Sequence, residues 1–578
     1  MRRVLSYVFA TIALAFCLST VCHARTISME EYLDRVRAAW IGKMAGVGWG
    51  ITTEFRYSHR IVPDSLMYDW NPAMINEGYN QDDMYLSIFA LKMLDKYGSH
   101  PSARKTCIDR QNIEFEYGRR NRHVLEDRIA PPDVSHPHYK PTADGCGYTC
   151  GADYSGIVAP GLPQAAYYYG NEFGSYVAYG DGIYGGIFLG SMYCEAFFED
   201  NINRIIKKAL KSIPEKSLVH QAVEDVVLWH SEYPEDWKKT WQNIMDRYWW
   251  NLDNNQTSWP YGGQLKGINL DSKSMCAFTV MALLYGKGDL METIRIAVQG
   301  SEDSDCNASI AAGILCASKG MKAVDEVFYS SLRKDVRFKY MDIGFDGLMS
   351  LTESVARQVI PAFGGEIVLK KGVEVIRIKD SGFDMNDSSC VSTFSPGPLT
   401  GAHYEPEEMT EREFISDCGF ENYSTAWSFF LDNRANHILP VRSDLRMENF
   451  LDGKARTGHA DAKLDLWYKN GYRRSGTRMF AGLRQIVKLD PGKTYRLSCH
   501  VRTEGKGLKG KGRLRVCTLD GKVLSEVSFG EKPDWTKVGL KFESGCEMYV
   551  IVEAGMYGVN DRQIVCRFDD FSIKSYSL

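Results

Sequence analysis

Two short acidic clusters lie far apart in the chain, Asn80-Gln81-Asp82-Asp83 and Glu302-Asp303-Ser304-Asp305. Each stands at the front of an apolar helical run, so each can present carboxylates at a helix N-terminus, where the peptide dipoles favour negative charge. Brought together, Asp82, Asp83, Asp303 and Asp305 make an oxygen-rich pocket suited to a hard divalent cation. Four converging negative charges are otherwise costly to bury, because each loses its hydration without a counter-charge. Asp303 and Asp305 are two apart, as in a D-x-D metal pair preceding a helix, and the run that follows is rich in Ala and Gly. A third element, Gly42-Lys43-Met44-Ala45-Gly46-Val47-Gly48-Trp49-Gly50, leads to Glu54. Glycines four apart let a helix pack closely on a neighbour, and the later ones permit a loop beside a ligand. Glu54, at the end of that loop, is then a carboxylate placed over a pocket.

The elements that must position these groups are mainly helical between residues 28 and 362. Helical periodicity runs over Met29–Ala45, Met84–Tyr97, Ile202–Leu210, Ser217–His230, Trp237–Trp250 and Ser274–Tyr285, with Gly or Pro near several ends. Asn80 is a cap for the helix that Asp82 and Asp83 begin. Residues 131–190 read as a long Gly-, Pro- and Tyr-rich connection without clear helices, a length more often functional than idle. After Phe363-Gly364-Gly365 the pattern turns Val/Ile-rich to Ile378, then polar. From about Asp417 it becomes short strands between turns such as Asp490-Pro491-Gly492 and Asp520-Gly521, the signature of an antiparallel sandwich.

Composition narrows the function classes. The 578 residues carry a net charge of -4 with no polybasic run, which argues against a nucleic-acid polymer as partner. Arg2 and Arg3 precede an apolar stretch from Val4 to Val21, and Cys22-His23-Ala24 follows, so residues 1–24 are expected to be a signal peptide. The mature chain would then be exported, periplasmic or extracellular, with Cys22 as a lipoprotein anchor the alternative. No later run reaches the roughly 20 apolar residues of a membrane span. Of 15 cysteines, Cys17 and Cys22 fall in the leader; Cys146 and Cys150 are the nearest pair for a disulfide. Cys194, Cys276, Cys316 and Cys499 sit in apolar runs as buried thiols do. No C-x-x-C pair exists, which excludes a zinc ribbon.

Taken in order, GKMAGVGWGITTE, NQDDM and GSEDSDCNASIAAG resemble the ADP-ribosylglycohydrolase family, of the dinitrogenase-reductase-activating glycohydrolase type, over roughly residues 28–362. That family's patterns are GxxxGDxxG followed by Glu, then T-D-D-T, then G-D-T-D-T before small residues. The resemblance implies an all-α domain with a binuclear magnesium site that holds a ribofuranosyl group by its vicinal hydroxyls. It implies metal ligands at Gln81, Asp82, Asp83, Asp303, Asp305 and Cys306, and catalytic roles for Glu54, Asp83 and Asp303. The family's threonine ligands fall at Gln81 and Cys306 and its loop aspartate at Val47. An amide oxygen still suits a hard cation, whereas a thiol is a poor partner for magnesium. One or two Mg2+ ions are expected, with Ca2+ or Mn2+ as alternatives. In the central region, CGADYSGIVAPGLPQAAYYYG and AYGDGIYGG are loosely similar to the family and make Asp153, Tyr154 and Asp181 either substrate contacts or structural polar residues. Trp49, Tyr167, Tyr168 and Tyr169 either stack on a sugar or pack.

The C-terminal part resembles the galactose-binding-like, carbohydrate-binding β-sandwich modules of secreted glycosidases, through FENYSTAWSFF, WTKVGLKFES and RFDDFSI. Asp569-Asp570 is there either a calcium-binding pair or a solvated strand end, and Trp427, Trp467 and Tyr468 either a sugar platform or core. The expected architecture is multidomain: signal peptide 1–24, all-α catalytic domain 25–365, β-rich linker 366–412 and all-β (jelly-roll) sandwich 413–578. The expected function is an exported metal-dependent glycoside hydrolase acting on a ribosyl- or arabinosyl-type furanoside in a glycan or glycoconjugate. ADP-ribosyl or nucleoside N-glycoside hydrolysis, and glycan binding without catalysis, are the alternatives. Oligomeric state is not legible.

Overall fold

The computed structural model describes residues 24–57, 59–113, 115, 122–140, 142–249, 270–379, 382–385, 390–393, 395–422, 426–432, 442–446, 454–466, 480–504, 512–557 and 564–576. The expected signal peptide and the aromatic pair Trp467 and Tyr468 lie outside the described residues. The chain forms a helical domain followed by a region of antiparallel sheets.

The principal helices are α1 (Met29–Gly50), α2 (Asp82–Tyr97), α3 (Pro163–Gly174), α4 (Asp181–Ala196), α5 (Leu218–Glu232), α6 (Ser272–Tyr285), α7 (Leu290–Gly300), α8 (Ser304–Lys319) and α9 (Phe345–Ala362). Ser28 Oγ accepts the Glu31 N–H at 3.0 Å and starts α1. α1 does not end before the glycine run, as the loop reading expected, but continues through it. The reason is packing. A Cβ on Gly42, Gly46 or Gly50 would meet Ala312 O at 2.8 Å, Ala308 O at 2.4 Å or Asp305 Cα at 2.3 Å. The four-residue glycine spacing therefore lets α1 lie directly on α8 at Ala308 and Ala312. Around this pair closes a core that includes Trp40, Ile88, Ala277 and Ile294.

Three further expectations need correction. Residues 131–190 contain α3 and the start of α4, whose tyrosine- and glycine-rich sequences mask a helical period because their small residues pack: a Cβ on Gly170 would meet Ile187 at 2.2 Å. Asn80 is not the cap of α2; Gln81 occupies that position, with extended backbone at φ −94 and ψ 145 and no side-chain cap bond. The segment Gly365–Ile378 is a hairpin, β2 (Gly365–Lys370) and β3 (Val373–Ile378), and β3 pairs with β1 (Arg25–Ser28) in the register Arg25↔Ile378. The hairpin thus closes the helical domain onto its own first residues instead of linking domains.

The C-terminal strands are β4 (Ser428–Asp432), β5 (Arg442–Arg446), β6 (Asp461–Leu466), β7 (Phe480–Lys488), β8 (Thr494–Glu504), β9 (Gly512–Thr518), β10 (Val523–Phe529), β11 (Thr536–Glu543), β12 (Tyr549–Tyr557) and β13 (Ile564–Tyr576). They form two five-stranded sheets, β10-β9-β12-β7-β4 and β11-β8-β13-β6-β5, with antiparallel pairing throughout. Leu497 and Val501 of one sheet and Val550 and Val552 of the other meet in a shared core. Trp427 belongs to that core, its indole donating to Asp417 O at 3.1 Å. Asp569 is buried instead of ending a solvated strand, and its Oδ2 accepts the Arg456 and Thr457 N–H groups at 2.9 and 3.2 Å.

Candidate active site

Three helix ends converge. α1 finishes at Gly50 in a tight turn, where Glu54 N–H donates to Gly50 O at 3.1 Å and so carries the Glu54 side chain past the helix end. Ser304 Oγ donates to the same Gly50 carbonyl at 2.9 Å and lies 2.9 Å from Thr53 Oγ1, which ties this turn to the start of α8. Asp303 is the N-cap residue of α8 and Asp305 lies in its first turn, while Asp82 and Asp83 begin α2. Glu54 and Asp82 are partly exposed at the mouth of the cluster, whereas Asp83, Asp303 and Asp305 are buried.

The buried layer is organised by hydrogen bonds. Ser309 Oγ donates to Asp83 Oδ2 at 2.8 Å and Cys306 Sγ to Asp83 Oδ1 at 3.2 Å. Beneath them Lys43, fully buried in α1, donates to Asp153 Oδ1 at 2.8 Å, to Ser87 Oγ at 3.3 Å and to Cys150 O at 3.3 Å. Lys43 also lies close enough to favour ionised Asp83. Asp305 is 1% exposed, and its Oδ1 has no hydrogen-bond partner among the described residues.

Crowding and burial hold protons on this cluster. Burial, then the Asp83 charge, push the Glu54 carboxyl up to about 7 against the relief of Arg56. Burial and the charges of Asp83 and Glu54 bring Asp82 to about 7 as well. Asp303 and Asp305 are pushed well above the usual carboxylate range, chiefly by burial. Such a cluster needs a compensating positive charge to be ionised at neutral pH.

Thiols complete the lining. Cys306 Sγ is 3.1 Å from Cys150 Sγ, and Cys146 Sγ donates to Asp303 Oδ2 at 3.6 Å. Ligand atoms fall within 4.8 Å of one another in three sets, Asp83–Cys150–Cys306, Cys146–Cys150–Asp303 and Asp303–Asp305–Cys306. The crowded carboxylates, with one oxygen orphaned, fit a divalent cation; the thiol side does not fit magnesium, which takes oxygen ligands.

The sequence reading placed Glu54, Asp82, Asp83, Asp303, Asp305 and Cys306 in one site, and these residues do come together. Gln81 caps α2 beside them. It missed Lys43, Ser309, Cys146 and Cys150. The signal for the cysteines was the Cys146-Gly-Tyr-Thr-Cys150 spacing; for Lys43 it was a cation inside a helix stretch otherwise made of small and apolar residues. The proposed substrate contacts divide differently. Asp153 is the buried partner of Lys43 beneath the site. Tyr154 is buried, its ring 5.5 Å from Phe173 in T-shaped contact. Asp181 lies apart: its Oδ1 accepts the Val219 N–H at 3.0 Å and caps α5. Trp49 is buried, donating to Tyr68 O at 2.7 Å, and Tyr169 donates to Ser99 O at 2.9 Å, so both are packing residues.

A helical domain whose helix ends gather acidic side chains around a buried polar centre is followed by an antiparallel sandwich. The family model described as ADP-ribosylglycohydrolase matches residues 28–362, more than half of the chain, and this protein belongs to that family, whose members hydrolyse glycosyl bonds and generally depend on divalent metals. A solved structure described as an ADP-ribosylglycohydrolase-related protein complex is 16% identical, covering 57% of this chain and 100% of its own, with a TM-score of 0.37. The structure of TmCBM61 in complex with β-1,4-galactotriose is 18% identical over 29% of this chain and 100% of that one, with a TM-score of 0.21. The CBM22-1 xylan-binding domain from Paenibacillus barcinonensis is 14% identical over 29% and 96%, with a TM-score of 0.20. No curated protein matches the chain. No helix among the described residues is long and apolar enough to cross a membrane.

Proposed function

We propose that this protein is an exported, divalent-metal-dependent glycoside hydrolase that cleaves a ribosyl- or arabinosyl-type furanoside bond in a glycan or glycoconjugate. The observation that carries the reading is the layering of the site: Glu54 and Asp82 at a solvent-open mouth, over buried Asp83, Asp303 and Asp305. Asp82, Asp83, Asp303 and Asp305, with the Gln81 amide, are the residues that would hold a cation. When bound, such an ion orients a sugar diol and polarises a water. Glu54, brought to about 7, keeps a proton near neutral pH and yet reaches solvent, which suits a group that passes protons to a leaving oxygen or from a water. Burial raises the Asp83 carboxyl while Lys43 and Ser309 favour its ionised form, and as an anion it would stabilise the positive charge that develops on the sugar ring. The sandwich would hold the glycan or brace the catalytic domain, and the N-terminal apolar run supports export.

The test is a panel of aryl ribofuranosides and arabinofuranosides, ADP-ribosyl-arginine and nucleosides, with and without chelator. Chelator-sensitive turnover of a furanoside is expected, and Glu54→Gln should lower kcat/KM by about 10²–10⁴-fold with the fold intact. Turnover of ADP-ribosyl-arginine or nucleosides alone would move the substrate class to N-glycosides. No turnover of any member by metal-loaded protein would refute the enzyme reading.

A further inference from the structure

We propose that Cys146, Cys150, Cys306 and Asp303 form a four-ligand position for a thiophilic divalent ion of the zinc class, beside the oxygen ligands Asp82 and Asp305. The inference rests on the reading of this pocket as a metal centre and specifies which ion one part of it takes.

All three cysteines are buried, at 9%, 5% and 5% exposure for Cys146, Cys150 and Cys306. Every pair among the four residues except Cys146 with Cys306 has ligand atoms within 4.8 Å. Zinc–sulfur bonds of about 2.3 Å place tetrahedral ligand atoms roughly 3.8 Å apart. The Cys146–Asp303 contact of 3.6 Å and the Cys150–Cys306 contact of 3.1 Å lie on the close side of such edges, within reach of small side-chain rotations. Backbone hydrogen bonds hold the two donors of the Cys146 turn in place: Cys146 N–H to Leu270 O at 2.7 Å, and Cys150 N–H to Cys146 O at 3.0 Å. Cys306 is fixed by the first turn of α8.

Two further observations favour a cation at this position. Asp305 Oδ1 is buried without a hydrogen-bond partner at the edge of this set. The Cys306 thiol has one proton, yet its sulfur stands against both the Asp83 carboxylate and the Cys150 sulfur. A cation bound by the three sulfurs and Asp303 replaces the thiol protons and sets positive charge beside Asp83 and Asp305, and a Cys₃Asp tetrahedron matches the preferences of zinc and not those of magnesium. As each metal–sulfur bond forms, the thiol proton leaves to solvent, so uptake weakens as pH falls. The competing state is a Cys150–Cys306 disulfide, which would draw the sulfurs to about 2.05 Å and remove two ligands.

The test uses the whole mature chain, reduced, stripped with chelator, and incubated with Zn2+ or Co2+ in an excess of Mg2+ before desalting. Retention of one zinc per chain is expected, and Co2+ should give thiolate-to-cobalt charge-transfer absorption. Cys146→Ser and Cys150→Ser should each lose that absorption, while Cys390→Ser keeps it. Absence of both zinc retention and the cobalt band in the wild-type protein overturns the proposal, whatever the variants do. So does a native Cys150–Cys306 disulfide, seen as a mass two hydrogens lower, when reduction restores no zinc uptake. Zinc bound without turnover on the furanoside panel refutes the hydrolase reading alone; turnover without zinc binding refutes this inference alone.

Discussion

Replacing Gly46 by Ala sets two effects of opposite sign against each other. Gly46 is inside α1, where helix propensity alone predicts that Ala stabilises by about 1 kcal/mol. The added methyl, however, would stand 2.4 Å from Ala308 O, 2.5 Å from Ala308 C and 2.5 Å from Ser309 N, all backbone atoms of α8 that no rotamer change can move. Reaching an ordinary contact of 3.4 Å requires α1 and α8 to separate by about 1 Å, and overpacking of this kind costs about 1–3 kcal/mol. The clash wins. We expect net destabilisation of up to about 2 kcal/mol in urea unfolding with an unchanged m-value. Because α1 leads to Glu54 and α8 carries Asp303 and Asp305, the same displacement should cost on the order of 10²-fold in kcat/KM. Gly46→Ala protein as stable and as active as wild type would show that the α1–α8 contact does not set the site geometry.

Lys43→Met should destabilise by about 3–5 kcal/mol, because it leaves Asp153 buried without its cation; Lys43→Met with Asp153→Leu should recover most of that loss in denaturant titration. Asp181→Ala should cost about 1 kcal/mol by removing the acceptor of the Val219 N–H, and a fall in kcat without any loss of stability would restore a substrate role to this residue. In chelator-treated protein, Glu54 and Asp82 rise from 4.5 and 3.8 to about 7, so the native chain holds protons that the unfolded chain has released. Its stability should therefore fall as pH rises from about 4 to 7, by at most ~1.4 kcal/mol per unit and group, and by less because both reach solvent. Thermal melts across that range should show the fall shrink when a divalent cation is added; a stability that rises through the window would refute the raised values.

Much of the site was legible because its signals are local. The Asp82-Asp83 and Asp303-x-Asp305 spacings, the Gly42/Gly46/Gly50 period and Glu54 each mark a helix end or a close helix contact, and those are decided within a few residues. The antiparallel strands were legible for the same reason, since alternation and turns such as Asp490-Pro491-Gly492 are short-range. What the sequence alone settled was therefore the helical domain followed by the sheets and which acidic side chains belong to the cluster. What only the tertiary structure decided was the second half of the site. Cys150 and Cys306 are 156 residues apart, and Lys43 and Asp153 are 110 apart; no periodicity connects them. They meet because the chain bends α1, α2 and the Cys146–Cys150 turn around α8. Burial then changes the chemistry: with little water to screen them, five acidic groups compete for protons, thiols join their contacts, and Lys43 pairs with Asp153 beneath.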